Sequence, residues 1–146
     1  MGLTAENVAN RYNISREAQD EFAYHSQMKA AKAQKYNLFT EIVPTPAVTF
    51  VRQESGTYVK ETFLQAKDDG IRPDTTVEGL ANLRPVFAAG GSVTAGNSSQ
   101  TTDGAAAAVI ASKDKIDELG LTPIAKVKCY TTVGCRPDEM GVGPRY

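Results

Sequence analysis

The sequence predicts an α/β fold. Three observations carry this reading. Helical and extended patterns alternate along the chain. The helical stretches open on Ser or Thr, which cap helices well. A run of small and apolar residues at 104–112, GAAAAVIAS, has the length and boundaries of a buried strand, although periodicity alone does not separate strand from helix there. The 146 residues fit one ordinary domain, and 41% apolar with 23% charged residues is a globular composition.

Thr4 followed by AENVANRY predicts a first short helix, with Thr4 as N-cap and Glu6 in the first turn. Asn13 ends it. Ser15 caps a second, longer helix over 16–36. Ala18, Phe22, Ser26, Ala30 and Ala33 fall at helical spacing and predict its packing face, with His25 at the edge and Tyr24 pointing away. Lys29 lies in the same arc and must snorkel outward. EIVP at 41–44 and AVTFV at 47–51 read as short strands, QESG at 53–56 as a turn, and TYVKETFLQ at 57–65 as a returning strand. A hairpin over 45–65 follows. KDDGIRPDTT is a loop, and Thr76 caps a short helix, VEGLANL, that Pro85 stops. SKDKIDELG predicts an amphipathic helix with Ile116 and Leu119 inward and Gly120 as C-cap. PIAKVKCYTTVG alternates as a strand, and RPDEMGVGPRY reads as a Gly/Pro loop.

Composition removes several function classes. A net charge of -1 carries no whole-chain basic footprint for nucleic acid. No window approaches the roughly 18 apolar residues of a membrane span. MGLTAENVAN has neither a secretory pattern nor a myristoylation pattern. Cys129 and Cys135 therefore read as reduced thiols. With a single histidine, His25, and no CxxC or HExxH spacing, no metal site is expected. Cys129 inside VKCY reads as a small buried apolar residue. Cys135 stands beside Arg136, which favours a thiolate, but no base is near in sequence. Arg72 is either a solvated loop charge paired with Asp68 or Asp69, or a phosphate clamp. Met1 and Met140 either fill space or line an acyl pocket. TAGNSSQTTDG at 94–104 is either a polar connector or a place where small side chains let a ligand reach the main chain.

Five stretches taken together resemble the thiolase family: MGLTAENVANRYNISREAQDEFAYHSQMKAAKAQ, EIVP, DDGIRPDTTVEGLANLRPVF, GSVTAGNSSQTTDGAAAAVIAS and TTVGCRPDEMGVGP. They come in family order and cover nearly the whole chain. GNSSQ and the MGVGP ending look most like the degradative 3-ketoacyl-CoA thiolases, including the peroxisomal type. The resemblance implies an acyltransferase of fatty-acid β-oxidation or acetoacetyl-CoA metabolism. Its reaction is thiolytic cleavage of a 3-ketoacyl-CoA by CoA, or the reverse Claisen condensation. It implies a homo-oligomer, coenzyme A as substrate and no separate cofactor, with neither nucleic acid nor a membrane as partner. The compartment it implies is the peroxisome, with cytoplasm or mitochondrion as alternatives.

The same resemblance implies a partial thiolase-like fold. Residues 1–84 match part of the loop domain, 85–121 the last part of the N-terminal half, and 122–146 the start of the C-terminal half. Ala95 and Ser99 match contacts to pantetheine. Arg72 and Leu83 match the adenine and phosphate end of CoA. Met1 and Met140 match the acyl tunnel. The family's nucleophilic cysteine lies upstream of Met1. Its GHP histidine, CGGGMG cysteine and NEAFA asparagine lie downstream of Tyr146. No catalytic residue is therefore expected within this chain, which reads as an internal segment. The alternative is a catalytically inactive protein that binds CoA or pairs with a thiolase chain.

Overall fold

A computed structural model describes residues 1–146. Helix α1 (Gly2–Arg11) starts earlier than its sequence predicts. Thr4 lies inside it and donates its hydroxyl to the Met1 carbonyl at 2.6 Å. A threonine satisfied one turn back has no need to end the helix. Glu6 consequently sits mid-helix and is buried. Asn13, at φ 51°, turns the chain out of α1. Short polar side chains tolerate that left-handed backbone better than most. Helix α2 (Arg16–Lys35) opens as expected, with the Ser15 hydroxyl accepting from the Ala18 N–H at 3.2 Å.

The packing face of α2 is only partly the predicted one: Ala30 and Ala33 are half-buried as expected, but the rest of that face is not. Phe22 is 79% exposed, and Ala18 and Ser26 are exposed as well. Arg16, Gln19, Asp20, Ala23 and Gln27 turn inward instead, and Asp20 is almost fully buried. Tyr24 is half-buried and does not point away, while His25 is exposed. The reason is the surface that α2 meets. It is lined by backbone groups that need hydrogen-bond partners, so a polar face wins over an apolar one.

Strands β1 (Thr45–Arg52) and β2 (Tyr58–Gln65) form the predicted hairpin, with Thr45 opposite Gln65 and Arg52 opposite Tyr58. The turn closes through the Gly56 N–H donating to the Gln53 carbonyl and the Gln53 N–H donating to the Thr57 carbonyl. Gly56 adopts φ 82°, the left-handed bulge position that glycine fills without a Cβ penalty. This two-stranded sheet is the only one, and EIVP at 41–44 joins no ladder. Helix α3 (Val77–Ala81) is capped by Thr76, whose hydroxyl accepts from the Gly79 N–H at 3.0 Å. Its Leu80 is buried.

Besides EIVP, two longer predicted strands are absent. GAAAAVIAS is exposed and outside any ladder, with Val109 at 97% and Ile110 at 83% exposure. PIAKVKCYTTVG is likewise unpaired, so Cys129 is exposed and not buried. A strand is completed only by neighbours that take its N–H and C=O groups. No segment of this chain lies alongside either run. Helix α4 (Lys113–Leu119) forms between them, capped by Ser112 and ended by Gly120 at φ 61°. Ile116 is half-buried there, but Leu119 is exposed. The Gly/Pro loop at the end contains 3-10 turns over Pro137–Arg145, packed on α1. The Asn7 amide donates to the Asp138 carbonyl at 3.0 Å, and Arg11 pairs with Glu139. No helix is long and apolar enough to cross a membrane.

Amide hydrogen exchange on the 146-residue chain should follow this division. We expect slow exchange in α2 and at Ser92 and Val93, whose N–H groups are bonded. We expect fast exchange at 101–111, where no backbone bond holds the chain. Protected amides in the alanine run would contradict the unpaired strand.

Candidate functional site

The site is built around residues 91–99, GSVTAGNSS. This segment has little regular structure, so its backbone groups need partners from side chains. Glu6 of α1 supplies the first set. Its carboxylate accepts from the Ser92 N–H at 3.0 Å, from the Val93 N–H at 2.9 Å and from the Ser92 hydroxyl at 3.2 Å. Gly91 makes this approach possible, because a Cβ there would meet Glu6 Oε1 at 2.3 Å. Burial pushes the Glu6 carboxyl up, but the bonds from Ser92 and Val93 outweigh it and hold the group below its ordinary value.

Helix α2 supplies the second set. Gln19 donates to the Ser92 hydroxyl at 2.9 Å. Asp20 accepts from the Asn97 amide at 3.0 Å through one oxygen and from Arg16 Nε at 2.7 Å through the other. Arg16 also donates to the Leu80 and Leu83 carbonyls at 2.6 and 3.1 Å, at the end of α3. Arg16 thus ties α2 to α3, and Asp20 carries the tie on to the loop.

Inside the loop, Asn97 and Thr94 close a tight turn. Asn97 Oδ1 accepts from the Thr94 N–H at 2.8 Å, and its amide also donates to the Ser92 carbonyl at 3.0 Å. The fully buried Thr94 hydroxyl accepts from the Gly96 N–H at 3.2 Å. Ser98 donates to the Thr94 carbonyl at 2.6 Å. The Val86 N–H donates to the Val93 carbonyl, which leaves the loop fixed on the strand-like bridge between Pro85 and Thr94. No buried side-chain polar atom is left without a partner.

The expected contact residues fall around this frame. Ala95 and Ser99 are exposed on its outer side, and the Ser99 hydroxyl reaches only the neighbouring Gln100 carbonyl, at 3.1 Å. Leu83 lies against Gly96, where a Cβ would come within 2.5 Å of both Leu83 and Leu80. Arg72 has an exposed side chain, and its N–H is held by Gln27 at 2.9 Å. Gly70 in the same loop abuts Gln100, so the Arg72 loop runs beside the end of the 91–99 segment. Met1 is 84% exposed and Met140 42% exposed. Met1 caps α1 and Met140 lies in the 3-10 turns packed on it, so both stand at that pair and outside the loop network.

The frame can present a fixed, small-residue ledge to an extended ligand. It holds no nucleophile paired with a base. His25 lies 3.7 Å from Glu21 on the exposed side of α2. Cys135 sits in a hollow with Arg11, Arg136 and Glu139, and no histidine lines it. No group of three or more His, Cys, Asp or Glu side chains is placed to hold a metal. A broad concavity of about 800 Å³ lies at the far end of α2, among Met28, Lys32, Lys35, Phe39 and Lys67, and shares no residue with the frame. Sequence reading missed Glu6, Arg16, Gln19, Asp20, Ser92 and Asn97. The available sign was polar residues at 16, 19 and 20, one turn apart on a helix otherwise rich in alanine.

The sequence profile described as thiolase, N-terminal domain, matches residues 1–114. The chain belongs to the thiolase family. The human peroxisomal 3-ketoacyl-CoA thiolase is 52% identical over 147 aligned residues, which cover 100% of this chain and 34% of that protein. The dimeric peroxisomal thiolase of Saccharomyces cerevisiae superposes with a TM-score of 0.80 at 39% identity, covering 100% of this chain and 35% of that one. Human mitochondrial 3-ketoacyl-CoA thiolase in complex with CoA gives 0.79 at 38% identity, covering 97% and 32%. This thiolase chain thus spans about a third of the length of the relatives it matches. Its architecture is part of a thiolase-like α/β fold, as the sequence predicts.

Glu6 gives a pH test. A carboxylate whose folded value is depressed contributes stability above its unfolded value, near 4.5, and loses it as pH falls through the folded one. Glu6→Gln should cost about 1–3 kcal/mol at neutral pH and flatten the acid side of the thermal-midpoint profile. An unchanged acid limb would remove Glu6 from this role. Asn97→Ala should cost a similar ~1–3 kcal/mol by chemical denaturation, whereas Ser99→Ala should stay within about 0.5 kcal/mol.

Proposed function

We propose that this chain forms the CoA-holding part of a 3-ketoacyl-CoA thiolase. One observation carries the reading: the inward polar side chains of the 91–99 loop are tied to α1, α2 or the loop itself, which leaves Ala95 and Ser99 on a fixed outer ledge. A rigid ledge of small side chains suits the thin, amide-bearing pantetheine arm. It lets the ligand reach the backbone, and Ser99 can donate once it leaves the Gln100 carbonyl. Preorganisation of this kind lowers the ordering cost of binding.

Around the ledge, Leu83 offers an apolar contact and Arg72 a guanidinium for the adenine and phosphate end of CoA. Met1 and Met140 are assigned to the acyl end, where flexible thioethers adapt to chain shape. CoA acts as substrate, and no separate cofactor is assigned. The activity proposed for the whole protein is thiolytic cleavage or the reverse condensation, within fatty-acid β-oxidation. Residues 1–84, 85–121 and 122–146 are assigned to the loop domain, the N-terminal half and the C-terminal half. The peroxisomal relatives support a peroxisomal setting, and the dimeric yeast protein supports a homo-oligomer. Covalent acyl transfer needs a nucleophile, a base and an oxyanion site together. Cys129, Cys135 and His25 supply no such set, so the chemistry is assigned to residues outside this chain.

Calorimetric titration of CoA, paired with an acetoacetyl-CoA thiolysis assay, tests this directly. We expect binding without turnover, weakened about 3- to 10-fold by Ser99→Ala and untouched by Cys129→Ala or Cys135→Ala. Turnover would reveal a nucleophile within the chain. Absence of binding would overturn the CoA assignment of the ledge.

A further inference from the structure

Arg72 combines a held backbone with a free side chain. Its N–H donates to Gln27 Oε1 of α2 at 2.9 Å. Its carbonyl accepts from the Thr75 N–H at 3.2 Å and from the Thr75 hydroxyl at 2.8 Å. Pro73 follows and restricts Arg72 to an extended backbone. The guanidinium, by contrast, enters no ion pair of the chain. The two neighbouring acids that could neutralise it have other partners. Asp68 accepts from the Gly70 N–H at 2.8 Å, and Asp69 accepts from the Gln65 amide at 3.2 Å. A free guanidinium rooted on a fixed backbone is preorganised for an anion from outside.

Gln27 is the partner that reaches Arg72 from far along the sequence. Its orientation is dictated by what it meets. The Arg72 N–H needs an acceptor, so the amide oxygen faces it, and the amide nitrogen is left facing the Gly70 carbonyl, a longer contact of 3.4 Å. Gln100, just past the ledge, packs against Gly70 so closely that a Cβ there would come within 2.4 Å of it. Asp20 and Gln27 stand two turns apart on the inward face of α2, about 10 Å along its axis. Asp20 holds the ledge through Asn97, and Gln27 holds the root of Arg72. One rigid helix therefore sets the spacing between the ledge and the guanidinium.

We infer that Gln27 is a positioning residue for the phosphate end of CoA. It touches no ligand itself. It fixes where the Arg72 guanidinium meets the phosphates of a molecule whose pantetheine arm lies on the ledge. This builds on the CoA assignment of the ledge and adds what distinguishes CoA from pantetheine, its phosphate-free arm. Without the Gln27 clamp the 70–72 loop would have to be ordered by the ligand, at the expense of affinity for the phosphate end alone.

The test is calorimetric titration of CoA and of pantetheine into the 146-residue chain and four variants. Gln27→Met keeps the side-chain length and removes both amide contacts. It should weaken CoA about 5-fold and leave pantetheine within about 2-fold. Arg72→Leu should weaken CoA about 10-fold, and adding Gln27→Met to it should change CoA by less than about 2-fold, because the two residues act as one unit. Thr75→Val loosens the same root without touching α2 and should weaken CoA about 2- to 3-fold, again sparing pantetheine. The Arg72 amide should exchange faster in Gln27→Met, with the Ser92 and Val93 amides still slow. A CoA affinity unmoved by Gln27→Met, an equal loss for pantetheine, or the full loss persisting beside Arg72→Leu would each overturn the role of Gln27 while leaving the ledge in place. Failure of the unsubstituted chain to bind CoA would instead remove the ledge assignment, and the role of Gln27 with it.

Discussion

A buried carboxylate on α1 decides much of this structure. Glu6 takes the N–H groups of Ser92 and Val93, which no strand or helix would otherwise satisfy. Burying a charge is costly unless it is hydrogen-bonded, and burying bare amides is costly too. Each group makes the other tolerable. The position of Glu6 within α1 thus fixes where the 91–99 segment begins its path, and Gly91 is small because the carboxylate passes so close.

The same requirement explains α2. Its inward face carries Arg16, Gln19, Asp20 and Gln27 because the surfaces it meets are backbone. Arg16 caps the carbonyls at the end of α3, Asp20 steadies Arg16 and Asn97 together, and Gln27 holds the loop of Arg72. The polar network places the ledge and keeps it rigid. Function, as proposed here, rests on what the network leaves outside: a methyl, a hydroxyl and accessible main chain. A ligand with amides along a narrow chain fits such a surface better than a bulky one.

The sheet obeys the opposite logic. Its segments are apolar and expect partners, yet only the hairpin finds one within the chain. Ala105 to Ile110 and the run through Cys129 join no ladder and stay exposed. Their side chains are small or alternating, which suits burial between layers that this chain's residues do not provide. The hairpin shows how pairing changes the outcome, since its turn supplies register locally and needs no distant neighbour.

Local chemistry was legible in the sequence wherever the cause was local. Ser15, Thr76 and Ser112 cap their helices, Asn13 and Gly120 end theirs, and Gly56 turns the hairpin, because each acts on backbone within a few residues. The motifs around TAGNSSQ likewise carried the family. What the tertiary structure alone decided was anything requiring a distant partner. Thr4 did not cap α1, the polar face of α2 won over the small one, and Glu6 and Asp20 became buried anchors, because loop amides far along the chain are brought against them. The alanine run reads as a strand by its length and boundaries but forms none here, because a strand exists only through its hydrogen-bonded neighbours.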